Sequence, residues 1–167
     1  MISGESVVKA CSEVDQYTPE QMVNEFERFF RVQPAICDFI VDITHESGQK
    51  IQELSLFLSY MVFKSLEGSP AVTTPTVKPD DIEAAYRTTE SWMEGMIGAP
   101  DADLQSAIVQ SLQHETEPYL LQYVISELNE PLQSGAELND EEKGEVFFVL
   151  KTVISSLCNK GRIIEIS

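Results

Sequence analysis

Residues 80–97 read DDIEAAYRTTESWMEGMI. Within them Ile82, Ala85, Tyr86, Thr89, Trp92, Met93, Met96 and Ile97 recur at i, i+3, i+4 and i+7 without a break. A helix repeats about every 3.6 residues, so these side chains share one face while the acids take the other. Gly98 and Pro100 then supply the stop. Upstream, residues 68–79 contain Pro70, Pro75 and Pro79 with Thr73, Thr74 and Thr76 between them, a composition that favours extended chain.

Working outward from this stripe, helix signals run along most of the chain. Thr18-Pro19-Glu20-Gln21 carries a capping threonine, a proline suited to the first helical turn and a glutamine placed to complete a capping box. Met22, Phe26, Phe29 and Phe30 follow at helical spacing, and Pro34 ends that helix and opens the next. Residues 35–43 are apolar except at Asp38 and Asp42, as expected of a helix central to its bundle. Gly48 marks a kink or a tight turn before Ile51, Leu54, Phe57, Leu58, Met61, Val62 and Leu66. Ser55 and Ser59 are small enough to let another helix approach closely.

Beyond Pro100, Asp101 or Asp103 caps a helix burying Leu104, Ala107, Ile108 and Leu112, and Pro118 opens another burying Leu121, Val124, Ile125 and Leu128. After a loop at residues 131–138, Asn139 and Glu142 form a second capping box. The last helix buries Val146, Phe147, Leu150, Val153, Ile154 and Leu157 and is expected to end at Gly161. Apart from residues 162–166, no segment alternates as a half-buried strand does. The expectation is an all-α, single-domain bundle of roughly six to eight amphipathic helices with short connections. Residues 1–67 and 80–167 form its two helical parts, and the Pro/Thr-rich linker at 68–79 joins them.

Charge narrows the partners. The chain has 28 acids against 11 basic residues, a net charge of −17. Between Arg87 and Lys143 there are twelve acids and no lysine or arginine. Nucleic-acid affinity depends on cations neutralising phosphates, and anionic membranes demand the same, so neither partner is expected. Basic proteins and cations remain electrostatically admissible, and charge far from zero also keeps a protein dispersed. Cys11, Cys37 and Cys158 are odd in number and widely spaced, which argues against a disulfide framework or a thiolate zinc site. The first twelve residues lack a signal peptide's basic start and apolar core, and the uncharged stretch at 54–63 is too short to span a bilayer. A cytoplasmic protein without a membrane anchor is expected.

Motifs that carry chemistry are sparse. His45-Glu46 and His114-Glu115 lack the second histidine of a zinc-peptidase helix, since Gln49 and Pro118 occupy those positions. A di-iron bundle needs paired Glu-x-x-His segments, and only the imperfect Asp42-x-x-His45 is present. Asp38, Asp42, His45, Glu46 and Gln49 nevertheless share helical spacing. Asp38, Asp42, His45 and Glu46 are therefore the candidate metal ligands, against the simpler reading of one solvated helix edge. Cys37 and His45 would lie about 12 Å apart along a helix, too far to form a catalytic pair. Glu90 and Glu94 share a face, and Trp92, Met93 and Met96 could line an apolar pocket, although ordinary packing explains both groups.

No catalytic residue or cofactor is expected. The leading expectation is a protein-interaction or self-associating module, motivated by consecutive apolar residues such as Phe147, Phe148, Val149 and Leu150. The alternatives are a small-molecule or metal-binding bundle, and an acidic chaperone for a basic partner.

Overall fold

A computed structural model describes residues 2–69, 74–97, 117–131 and 137–166, with side chains placed except at 96, 97 and 159–166. Those residues form seven helices and no strand. They are α1 (Gly4–Asp15), α2 (Pro19–Val32), α3 (Pro34–Ile43), α4 (Gln49–Glu67), α5 (Pro79–Ile97), α6 (Pro118–Asn129) and α7 (Asp140–Ile166). The expected stop at Gly98 and Pro100, the helix capped by Asp101 or Asp103, and His114 lie outside the described residues.

Both capping boxes form. The Gln21 amide donates to Thr18 Oγ1 at 3.1 Å while the Thr18 amide donates to Gln21 Oε1 at 2.8 Å. At the start of α7 the Glu142 amide donates to Asn139 Oδ1 at 2.8 Å and the Asn139 amide to Glu142 Oε1 at 3.0 Å. Each box satisfies two amides that a helix start would otherwise leave open. Residues 34–67 form two helices rather than one kinked helix. Between them Gly48 takes φ +96°, a conformation that L side chains rarely adopt.

Three features depart from the sequence expectation. First, α1 is a helix that the reading did not place; Ser3 caps it by accepting from the Ser6 amide at 3.3 Å. Second, α7 runs through Gly161 to Ile166, so Gly161 is no cap and residues 162–166 are helix rather than strand. An interior glycine costs a helix only about 1 kcal/mol, and α7 carries another at Gly144. Third, the surplus of apolar residues in α7 is absorbed within the fold. Val146, Phe147, Val149, Leu150, Val153, Ile154, Leu157 and Cys158 are all buried, and Phe148 is half-buried. This helix packs against α3, α4, α5 and α6, which cover it on several sides.

α4 is the second central element, lying against α1, α3 and α7. Tyr60, Leu58, Val62 and Leu66 are fully buried along it. Phe26 and Phe29 of α2 pack their rings on Tyr60 at 5.2 and 5.9 Å. Ser55 and Ser59 are fully buried, as their small size allows, and their hydroxyls have no hydrogen-bond partner among the described residues.

Two buried polar side chains fix the connections. Gln33, between α2 and α3, is 1% exposed. Its Oε1 accepts from the Val77 amide at 2.9 Å and its Nε2 donates to the Pro75 carbonyl at 3.1 Å. One side-chain amide thus serves as the hydrogen-bonding neighbour that an extended strand would normally provide. Glu117, just before α6, accepts from the Ile2 amide at 2.8 Å and ties the first residues of the chain to α6. Replacing Gln33 with alanine leaves the buried Val77 N–H without its acceptor. Urea unfolding of that variant should show a loss of about 1–3 kcal/mol, the usual cost of stranding a buried backbone group. Gln33→Glu should also destabilise, because a carboxylate cannot donate to the Pro75 carbonyl.

Candidate functional site

The proposed metal ligands do not come together. Asp38 and Asp42 lie on α3, but that helix ends at Ile43. His45 and Glu46 fall in the following turn, so helical spacing no longer relates them to the aspartates. All four are exposed. The Thr44 hydroxyl folds back onto the Ile40 carbonyl, and the chain turns away toward Gly48. Among the described residues no group of three or more His, Cys, Asp or Glu is placed to hold a metal ion.

The other candidates settle into packing or solvent. Cys37 is buried, and burial with Asp38 beside it pushes its thiol up to about 12. Glu90 and Glu94 are exposed. Trp92 packs on Phe147 with ring centroids 5.9 Å apart, and Lys151 Nζ stands 4.9 Å from the Trp92 ring centroid. The Met96 side chain lies outside the described residues.

Two polar clusters occupy other helix junctions. Between α1 and the end of α4 lies a cleft of about 190 Å³, and Glu13, Lys64 and Glu67 on its walls are engaged in ion pairs. Lys64 reaches Glu13 at 3.4 Å, and Arg28 joins Glu67 at 2.7 Å and Glu25 at 3.1 Å. Tyr60 donates to Glu25 at 2.7 Å. The Arg28 hydrogen bonds hold the Glu25 carboxyl below its ordinary range, more strongly than burial raises it. Between α1 and α6, Cys11 lies beside Tyr123, and burial makes both hold their protons more tightly than usual. Nearby, burial raises the Glu127 carboxyl above its ordinary value, with Glu130 and Asp15 adding to the effect.

The feature best suited to a partner is an open, largely apolar groove of about 400 Å³ between α3 and α5. Phe39, Asp42 and Ile43 line one wall, at i, i+3 and i+4 of α3. Pro79, Ile82, Glu83 and Tyr86 line the other, at i, i+3, i+4 and i+7 of α5. This spacing aligns residues along one side of a helix. Aromatic rings join the two walls edge to face: Phe39 meets Tyr86 at 6.1 Å, and Tyr86 in turn meets Phe148 of α7 at 5.4 Å, both at 76°. Such contacts hold ring positions more firmly than area burial alone.

The edges of the groove are acidic. Asp42 lies on the α3 side with exposed Asp38 one turn earlier, and Glu83 lies on the α5 side with exposed Asp80 three residues before it. The basic residues nearest in sequence are Lys78 and Arg87. Arg87 pairs with Glu83 at 2.6 Å, but both side chains are well exposed, at 75% and 59%. A pair this solvated is worth little and readily exchanges partners. Tyr86 keeps its proton more tightly than usual through partial burial and the neighbouring Glu90. The large apolar side chains most open to solvent, Val8, Val23, Phe30, Val41 and Tyr119, do not line the groove.

Sequence reasoning did not assemble this site. Ile82 and Tyr86 belong to the apolar stripe of residues 80–97, and Asp42 belongs to the polar spacing that suggests metal ligands. The pairing of α3 with α5 across the intervening α4 was the missing step. Compared with protein-family models, curated proteins and solved structures, the chain shows no significant match, so the role of the groove must be inferred from its own chemistry.

Two measurements test these environments. At pH 8 a thiol with a pKa near 12 is ionised in about one molecule in ten thousand, so Cys37 should resist thiol reagents in the folded protein and react freely in denaturant. Glu127 binds its proton more tightly folded than unfolded, so its contribution to stability falls as pH rises through and above the ordinary carboxylate value of 4.5. Glu127→Gln should therefore raise the melting temperature at pH 7, and the gain should shrink toward zero as the solution is acidified below that value.

Proposed function

We propose that this protein is an interaction module that seats a segment of another protein in the groove between α3 and α5. The groove itself carries the reading: half-buried Phe39, Ile43 and Tyr86, with Ile82 buried behind them, leave an open, largely apolar furrow between two helices, across which Phe39 and Tyr86 pack edge to face. The centre of α7, by contrast, is covered by the fold, and the exposed Val8, Val23, Phe30, Val41 and Tyr119 do not line the groove. An exposed apolar surface rimmed by polar groups is the usual mark of a recognition site. Its openness favours a macromolecular segment over a small molecule, which normally requires enclosure on most sides.

The electrostatics favour a different protein over a second copy. Two chains of net charge −17 repel, and acidic edges would face acidic surface. A cytoplasmic setting agrees with cysteines that form no disulfide, Cys37 and Cys158 being buried. No helix among the described residues is long and apolar enough to cross a membrane.

Photo-crosslinking tests the proposal. A photoreactive residue at Ile43 or Glu83 should yield the same discrete adduct in host extract, while one at exposed Glu53 of α4 should not. Equal labelling from all three positions, or no adduct from the groove, would refute it.

A further inference from the structure

We infer that the occupant of the α3–α5 groove is a cationic amphipathic helix contributed by another protein; this rests on the groove being the docking site proposed above. The backbone of the groove argues for a helix. Its walls are helices whose amides and carbonyls are already paired internally, so there is no sheet edge for a strand to join. A helical ligand satisfies its own backbone and needs only side-chain anchors. The walls have the matching spacing: Phe39 and Ile43 are one turn apart on α3, as are Ile82 and Tyr86 on α5. A helix presenting apolar residues at i, i+4 and i+7 can interdigitate with both rows. α3 is ten residues long, about 15 Å, enough to accompany two to three turns of ligand.

Charge defines the ligand's other face. Asp42 and Glu83 stand on opposite edges, so lysine or arginine on both flanks of an apolar stripe would meet a carboxylate on each side. Arg87 now holds Glu83 in an exposed pair that a ligand cation can replace without a large desolvation cost. This chain is a poor source of such a segment. Its basic residues never reach three within any ten positions, so neither a second copy nor a distant part of the same chain supplies a cationic helix.

The test uses the whole chain and three fluorescent peptides of about 18 residues, long enough for five turns. One has an apolar stripe flanked by lysine and arginine, the second has the same stripe flanked by glutamate, and the third is the first scrambled to destroy the stripe. Fluorescence anisotropy should show the first binding at least about tenfold more tightly than either other, a difference of about 1.4 kcal/mol. Asp42→Asn with Glu83→Gln, both at exposed positions, should remove most of that preference, as should raising the salt from about 50 to about 300 mM. Amide exchange should show protection confined to the α3 and α5 walls.

Equal binding of the first two peptides would overturn the cationic assignment while leaving the groove as a docking site. Equal binding of the scrambled peptide, or protection elsewhere, such as at the acidic start of α7, would overturn the helix-in-groove assignment. No binding by any peptide would overturn it as well, whereas the docking-site reading stands or falls separately on the crosslinks. Ile43→Ser provides a second apolar test, with circular dichroism confirming the fold: weakened binding of the first peptide supports the inference and unchanged binding opposes it.

Discussion

The middle of α7 has almost no side suited to water, and the bundle is organised around covering it. Residues from Val146 to Cys158 bury apolar side chains in directions that no single neighbouring helix could reach. α3, α4, α5 and α6 therefore converge on one axis. Removing this much apolar surface from water is the dominant favourable contribution to folding, at about 25 cal/mol per Å². The same constraint shapes the surface. α3 and α5 both pack on α7 and on each other, and the groove is the seam between them.

Much of this architecture was legible from local chemistry. Thr18 with Gln21 and Asn139 with Glu142 announced helix starts because their hydrogen bonds span only three residues. Pro34, Pro79 and Pro118 stand at first helical positions. α1 was harder to see, since Gly4–Asp15 buries only Val7 and Ala10 fully and starts on a serine among other small residues. Even so, Val7, Ala10, Cys11 and Val14 had the right spacing to reveal it. The length of α7 was underestimated because a glycine was read as a terminator, although Gly144 sits within the same helix.

The site was less legible than the fold. A periodic pattern identifies which face of a helix is buried but not which helix covers it. The polar stripe through Asp38, Asp42, His45 and Glu46 assumed a helix continuing past Ile43, and the turn before Gly48 dispersed it. Conversely, Phe39 and Tyr86 lie far apart in the chain, and no local rule brings them together. The groove became visible only when α4 carried the chain across and the linker returned it beside α3.

That return is governed by the two-point grip of Gln33. The grip holds the chain at Pro75 and Val77, immediately before the first residues of α5. The start of α5 is thereby positioned from the α2–α3 corner rather than from the end of α4. Residues could be added to or removed from the connection ahead of Pro75 over evolutionary time while the groove between α3 and α5 kept its shape. Linker length and groove geometry are thus free to diverge independently.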